Sequence, residues 1–363
     1  MKFKARFALV VLVNIWMCTC LIIAWYATRP REDAFQFDVY IPTKHHFNCS
    51  NIGDIIVSSR IGYGYTKGAF LGYYKNKEVV VKVVLHNSHD VVTCMQRLRT
   101  HNMVLNVEES YENRLMKCTK FPHMKLLKEI LFMEQLNHPN LVPLLGYCVR
   151  NERPGVHGKS LSEYGAVSVY EYGDSTAVQS LMRLPVNKRL TVCIELVDLM
   201  HYLQFSPLGS LRLNDFKVEH FLLVRDHLMV YDLDDVNNQE PTCGSMEDYD
   251  SSEVLAERPD SAPVTVRKCS DNIPCLNNLC VGANALHNLK RTTVMFIEPL
   301  IRSLDFTFGD FSADFHSDYN DLLTYIYDIE KIRVGALNST LPSALELRTR
   351  LEKLQSGLLL DNF

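Results

Sequence analysis

The chain has 363 residues, 47% of them hydrophobic and 22% charged, ordinary proportions for a globular protein with a sizeable core. A formal net charge of −4 and a pI near 6.4 leave no basic excess to hold nucleic acid or anionic lipid. One membrane-spanning helix followed by one large two-lobed domain accounts for the length.

In chain order, residues 1–6 form a cytosolic tail carrying Lys2, Lys4 and Arg6. The run from Phe7 to Ala27 is uncharged, with Asn14 its strongest polar interruption, and is long enough to cross a hydrocarbon core of ~30 Å. The preceding positive charges predict a type II signal anchor (residues 7–27) with the body on the lumenal side of a secretory-pathway membrane. Arg29 and Arg31 weaken that bias, although Glu32 and Asp33 sit beside them. A cleaved signal peptide is the competing reading, but its apolar region would be unusually long and Trp25 ill suits a cut after Ala27. Residues 28–50 read as a short stem. Asn48, in Asn48-Cys49-Ser50, and Asn338, in Asn338-Ser339-Thr340, are N-glycosylation acceptors. Of the 11 cysteines, nine lie beyond the apolar run, and Cys269, Cys275 and Cys280 crowd one loop-like stretch, which predicts disulfides in an oxidising compartment. Zinc is the alternative, but the spacings lack paired C-x-x-C and no histidine tract completes four ligands. An odd number leaves at least one thiol free or paired outside the chain.

From Ile55 short β-rich runs begin, broken at glycines, and Glu78–His86 is a compact valine-rich strand. An insert follows from about Asn87 to Phe121, bounded by Cys94 and Cys118. Met124–Leu136 has apolar residues at helical spacing and ends before His138-Pro139-Asn140, a helix followed by a turn. Two more strands follow, and beyond Asp174 the chain is mainly helical, with Arg189–Phe205 the best amphipathic segment. The expected fold is α+β and bilobal over residues 51–363, with a β-rich lobe to about 172, a helical lobe from about 173, and a cleft between them.

Chemistry-bearing residues recur in a fixed order along this layout. Gly62 and Gly64, in Gly62-Tyr63-Gly64-Tyr65-Thr66-Lys67-Gly68, lie between two strands, where glycines let backbone amides approach phosphate oxygens. Alone such a hairpin is more often only a turn, and Lys67 stands where G-x-G-x-x-G has its third glycine. Lys82 sits inside a valine strand, where an unpaired ammonium is unfavourable and an anion is needed. Glu129 is the best helix glutamate for it, with Glu134 the alternative. Asp215, after the amphipathic helix, can accept the proton of a substrate hydroxyl, with Lys217 to steady a γ-phosphate. Asp232, at the end of the apolar strand Met229–Tyr231, sits where a carboxylate would hold Mg²⁺. Each aspartate taken singly is a solvated turn residue; the ordered set predicts a kinase fold.

These blocks together, with Met124–Cys148, Ser206–Val224 and the cysteine-rich stretch after Asp232, resemble the vertebrate lonesome kinases, secretory-pathway tyrosine kinases related to divergent lumenal kinases. The resemblance runs from about Arg60 to the C-terminus and is loose between Cys94 and Cys118. It implies ATP and Mg²⁺ or Mn²⁺ as cofactors, tyrosine on secreted or extracellular proteins as substrate, and Golgi residence with release from the cell. Residue by residue it gives Lys82 as phosphate lysine with Glu129, Asp215 as base and Asp232 as metal ligand.

Departures from ordinary kinases are plain. His220 replaces the catalytic-loop asparagine, and a neutral imidazole is a poor Mg²⁺ ligand, so either Asp234 or Asp235 compensates, or one ion, such as Mn²⁺, suffices. Leu213-Asn214 replaces His-Arg, Leu233-Asp234 replaces Phe-Gly, and Ala-Pro-Glu is absent, which predicts a kinase not switched by activation-loop phosphorylation. The rival functions are a pseudokinase binding module and a lumenal glycan kinase. For the disulfides, Cys94 with Cys118 would close the insert, and Cys243, Cys269, Cys275 and Cys280 would brace the segment after Asp232.

Overall fold

In a computed structural model, which describes residues 45–105, 109–150, 160–175, 178–225, 227–243, 269, 273–304, 311–331 and 341–361, the first layer is an antiparallel sheet. It is built from β1 (Ile56–Tyr63), β2 (Lys67–Tyr74) and β3 (Lys77–Val84); after two helices, α1 (His89–Leu105) and α2 (Tyr111–Gln135), come β4 (Leu144–Val149) and β5 (Ala166–Glu171). The strand order is β1-β2-β3-β5-β4, so β3 is central and covered on both faces. Its β-branched valines suit that position, and Val79, Val81, Val83 and Val84 are fully buried. A two-residue turn joins β2 to β3, with Lys75 and Asn76 both at positive φ, the backbone that matches the twist of a tight hairpin.

The helix read from Met124 begins at Tyr111 and continues through Pro122, so part of the presumed insert is helical. Ser110 caps it, its hydroxyl accepting from the Asn113 amide at 3.2 Å. Leu126 and Ile130 of α2 pack on Val84 and Ala166, fixing the helix against the sheet. A disulfide between Cys94 and Cys118 joins α1 to α2.

The compact unit starts at His45, within the stretch read as stem. Phe47 is buried among β-sheet side chains, and its amide donates to the Leu145 carbonyl at 3.1 Å. Gly146 makes this strap possible: at φ 152° a Cβ there would lie 2.1 Å from the Phe47 carbonyl oxygen. Cys49, bridged to Cys148 of β4, locks the strap down. Asn48 is exposed in the turn that follows, as a glycan acceptor must be. The segment 7–27 and Asn338 lie outside the described residues; no described helix is long and apolar enough to cross a membrane.

Past Glu171 the chain makes β6 (Asp174–Ser175), α3 (Val178–Leu181), α4 (Val186–Gln204), β7 (Arg212–Leu213), β8 (Phe221–Val224), β9 (His227–Val230) and β10 (Val236–Asn237). Then come β11 (Cys275–Leu276), β12 (Leu279–Cys280), α5 (Ala283–Thr292), α6 (Glu298–Arg302), α7 (Ala313–Lys331) and α8 (Ala344–Asp361). Helix α4 is the centre of this layer, with Leu190, Cys193, Leu196, Val197 and Leu199 fully buried. At ~1.5–3 kcal/mol for each large aliphatic side chain removed from water, one such helix supplies much of the lobe's cohesion. The same apolar cluster includes Val80 and Tyr170 from the sheet, so the two layers share a core behind the cleft.

Cys243 pairs with Cys275 and Cys269 with Cys280, so these thiols are consumed as bridges rather than offered to zinc. Cys275 and Cys280 face each other across the β11–β12 hairpin, yet each is tied outward to a cysteine from earlier in the chain. Cys193 is the free thiol among the described residues, and burial raises its pKa far above the ordinary thiol value.

Candidate active site

The sheet register brings two lysines to one face. Lys82 lies opposite Ala69, and Lys67 lies opposite Val84, two residues along; Lys67 and Lys82 are therefore diagonal neighbours pointing the same way. Two ammoniums so placed repel unless anions lie between them, and α2 and the end of β9 supply three. Lys82 Nζ sits 2.6 Å from Glu129 Oε1, donates to the Tyr231 carbonyl at 2.9 Å and lies 3.9 Å from Asp232. Lys67 Nζ contacts Glu129 Oε2 and lies 2.8 Å from Asp232 and 3.1 Å from Asp234. Lys82 is only 2% exposed and Glu129 is wholly buried, so Lys82 is not the solvated lysine of an edge strand. Glu134, the alternative partner, pairs with His45 instead.

Burial opposes the charge on Asp232, but Lys82 and Lys67 outweigh it and hold the carboxyl well below the usual carboxylate range. Lys67 shows the converse balance. Desolvation pulls its pKa down, and Glu129, Asp232 and Asp234 together more than reverse the pull. Burial and the neighbouring Asp232 charge push the Tyr231 phenol up to about 12, so it stays neutral. Both Tyr231 and Tyr170 lay their rings near Lys82 Nζ, at 4.7 and 4.8 Å.

Across the cleft, backbone pairing sets the distance between the two aspartate-bearing segments. β7 pairs with β10, Leu213 opposite Val236, and the Asn214 amide donates to the Asp235 carbonyl at 3.1 Å. Asp215, just after β7, exposes its carboxylate and is met by Lys217 Nζ at 2.7 Å. His220 Nδ1 donates to the Asp215 carbonyl at 2.9 Å, which leaves the lone pair on Nε2. Nε2 lies between the two carboxylates, 3.4 Å from Asp232 and 3.6 Å from Asp215. Burial, against the pull of Asp232, keeps the His220 pKa below the ordinary histidine value.

The cleft between these walls has a volume of about 270 Å³ and is lined by Gly62 and Gly64 above and by Lys217, His220 and Asp232 below. The turn at its roof is closed by the Gly64 amide donating to the Lys67 carbonyl at 2.9 Å. Oxygen atoms of Glu129, Asp232 and Asp234 lie within 4.8 Å of one another, a hard-donor set that suits Mg²⁺ or Mn²⁺. His220 Nε2, 3.4 Å from Asp232, lies beside this set.

Three supporting residues escaped the sequence reading. Asn288 of α5, fully buried, donates to the Leu211 carbonyl at 2.7 Å and accepts the Leu213 amide at 2.9 Å, gripping the strand that presents Asp215. Glu240 accepts the amides of Gly282 and Asn284 at 3.1 and 3.0 Å, where a carboxylate complements a helix N-terminus. Asn140 donates to the Leu228 carbonyl at 3.0 Å and accepts the Val230 amide at 2.9 Å, holding the strand that carries Asp232. For Asn288 the available signal was an asparagine on the apolar face of an amphipathic helix, which requires a polar partner when buried.

A β-sheet lobe carrying one long helix, a helical lobe, and charged residues converging from both on a single cleft define a protein-kinase-like fold. The chain matches no protein-family model. It is similar to the human extracellular tyrosine-protein kinase PKDCC, at 26% identity over 255 residues that cover 70% of this chain and 45% of the relative. At the family level the chain is thus related to the lonesome kinases, and it spans about half the length of this relative.

Proposed function

We propose that the protein is an ATP-dependent protein kinase of the secretory pathway, acting on hydroxyl groups, tyrosine foremost, of secreted or extracellular proteins. One observation carries this: a buried lysine–glutamate pair and a strand-borne aspartate face an exposed, lysine-paired aspartate across one cleft. Bound ATP and a divalent cation would supply the phosphoryl group and neutralise its charge. Lys82, fixed by Glu129, binds phosphate oxygens; Asp232, with Asp234 and His220 beside it, holds the metal. Asp215 orients the acceptor hydroxyl and accepts its proton, and Lys217 offsets charge on the transferred group. The similarity to a named tyrosine kinase supports tyrosine as acceptor, and the four disulfides support an oxidising lumen, with residues 7–27 as anchor.

Transfer of phosphate from labelled ATP by the purified chain, with Asp215→Ala as control, tests the proposal. Activity lost by at least about a hundredfold in the variant is expected, the usual weight of a positioned base; equal signals from the two would mean no intrinsic activity. A pseudokinase is favoured by one feature, the histidine at position 220 among the metal-binding groups, and equal signals would leave that module as the function.

A further inference from the structure

The third glycine position of the loop holds a lysine, and its side chain does not point to solvent. Lys67 is 8% exposed, reaches under the loop, and contacts all three carboxylates of the hard-donor set. Lys82 pairs closely with Glu129 alone and reaches Asp232 only at 3.9 Å. Glu129 is thus shared by two ammoniums, while Asp232 and Asp234 have Lys67 as their nearest cation. An ordinary phosphate lysine needs one glutamate. A second lysine that takes up the metal-binding oxygens themselves calls for a separate account.

We propose that Lys67 is a tethered counter-cation that competes with the divalent metal ion for Asp232 and Asp234. An ammonium 2.8 and 3.1 Å from those carboxylates satisfies the same oxygens that a Mg²⁺ or Mn²⁺ ion needs, and the two cannot share them at such range. One buried and two half-buried carboxylates against two ammoniums leave one negative charge, which tolerates one further cation only if Lys67 withdraws. Lys67 starts β2 directly below the Gly64 turn, so a change of its rotamer releases the ammonium toward the cleft that Gly62 and Gly64 line. Released there, it meets the phosphate oxygens that accompany the metal. The device suppresses metal uptake without nucleotide and couples the two ligands, since phosphate compensates the charge that the metal displaces.

This inference rests on the kinase reading for the identity of the ligands, but its test requires neither ATP nor phosphotransfer. Binding of Mn²⁺ alone is measured on wild type, on Lys67→Met, and on Lys125→Met, which removes a lysine that lines the same cleft but lies over the Phe121 ring. Lys67→Met is expected to bind Mn²⁺ roughly tenfold or more tightly than wild type, as deletion of an adjacent charge in a poorly solvated site implies; Lys125→Met is expected to match wild type. Equal or weaker binding by Lys67→Met would overturn the proposal, as would an equal gain in Lys125→Met. Should Lys67→Met not fold, amine labelling of wild type decides the matter. Mn²⁺ is expected to raise the reactivity of Lys67 and not that of Lys82, and unchanged or reduced Lys67 labelling would overturn the proposal. Phosphotransfer failing while Mn²⁺ competition holds would sink the kinase reading alone.

Discussion

Glu129 meets two ammoniums with one fully buried carboxylate. Its replacement by glutamine keeps the shape and removes the charge, leaving Lys67 and Lys82 under-compensated. Glu129→Gln is expected to lower unfolding stability by about 3 kcal/mol, as when one partner of a buried ion pair is deleted. Chemical denaturation measures this, and a change under about 1 kcal/mol would show that Asp232 and Asp234 suffice. His220 makes a different demand, since its Nε2 lone pair faces Asp232 from 3.4 Å. His220→Asn, which restores an oxygen donor, is expected to shift metal preference from Mn²⁺ toward Mg²⁺ in titrations of activity, and identical profiles would remove the histidine from the metal site. Lys82 was legible in the sequence because an ammonium among valines contradicts the strand it occupies. Lys67 was not: at the end of a glycine loop a lysine reads as solvated, and only the β2–β3 register reveals that it shares the face of Lys82.

Between elements, the grip of α5 on β7 matters most for the cleft. Asn288 satisfies both an amide and a carbonyl where no water reaches. Asn288→Ala is expected to cost about 2–3 kcal/mol through these orphaned groups and to reduce turnover as Asp215 loosens; Asn288→Asp keeps the acceptor for the Leu213 amide but turns a buried carboxylate toward the Leu211 carbonyl, so it should be no more stable than the alanine variant. The two crossed bridges pin Cys243, seven residues after the β10 start, and Cys269 to the hairpin that precedes α5. Covalent links there replace contacts that phosphorylation of a loop would otherwise have to create. Treatment with phosphatase is therefore expected to leave activity unchanged, and its abolition would contradict a bridge-braced loop. Pairings such as Cys49 with Cys148 could not be read in advance, because cysteines 99 residues apart carry no local signature; β4 had first to be placed beside the strap. By the chain-entropy relation, a bridge of that span constrains the unfolded chain by about 4–5 kcal/mol. The start of α2 was misread for another reason: Pro122 signals a break, yet the two-helix packing closed by Cys94–Cys118 carries α2 straight through it.

For the whole molecule, acid is a liability carried by half-buried histidines. Burial lowers His138 to about 4, and burial with Arg212 lowers His287 to about 4. Both values lie below the ~6.5 of the unfolded chain, so unfolding takes up protons as pH falls between the two values. Stability is expected to be full above pH ~6.5 and to decline toward pH ~4, and His287→Gln should flatten part of that slope. Denaturant unfolding at several pH values checks this, and a flat profile would mean that the imidazoles reach solvent. The bilobal layout was readable from the change of periodicity after Asp174, and the ordered charges located the cleft. What joins the halves was not readable, since Val80 and Tyr170 look like any strand residues until the apolar cluster they share with the helical lobe is assembled.

Cys193 offers a clock for that joining. With eight cysteines oxidised, it is the reduced sulfur of the described fold, sealed in the middle of α4 with no path for a reagent. A maleimide can reach it only when the helical lobe opens, so its labelling rate, followed peptide by peptide, counts excursions of the lobe from its closed form. Ligands that stitch sheet to helices should slow the count; severing the distant strap should leave it nearly unchanged.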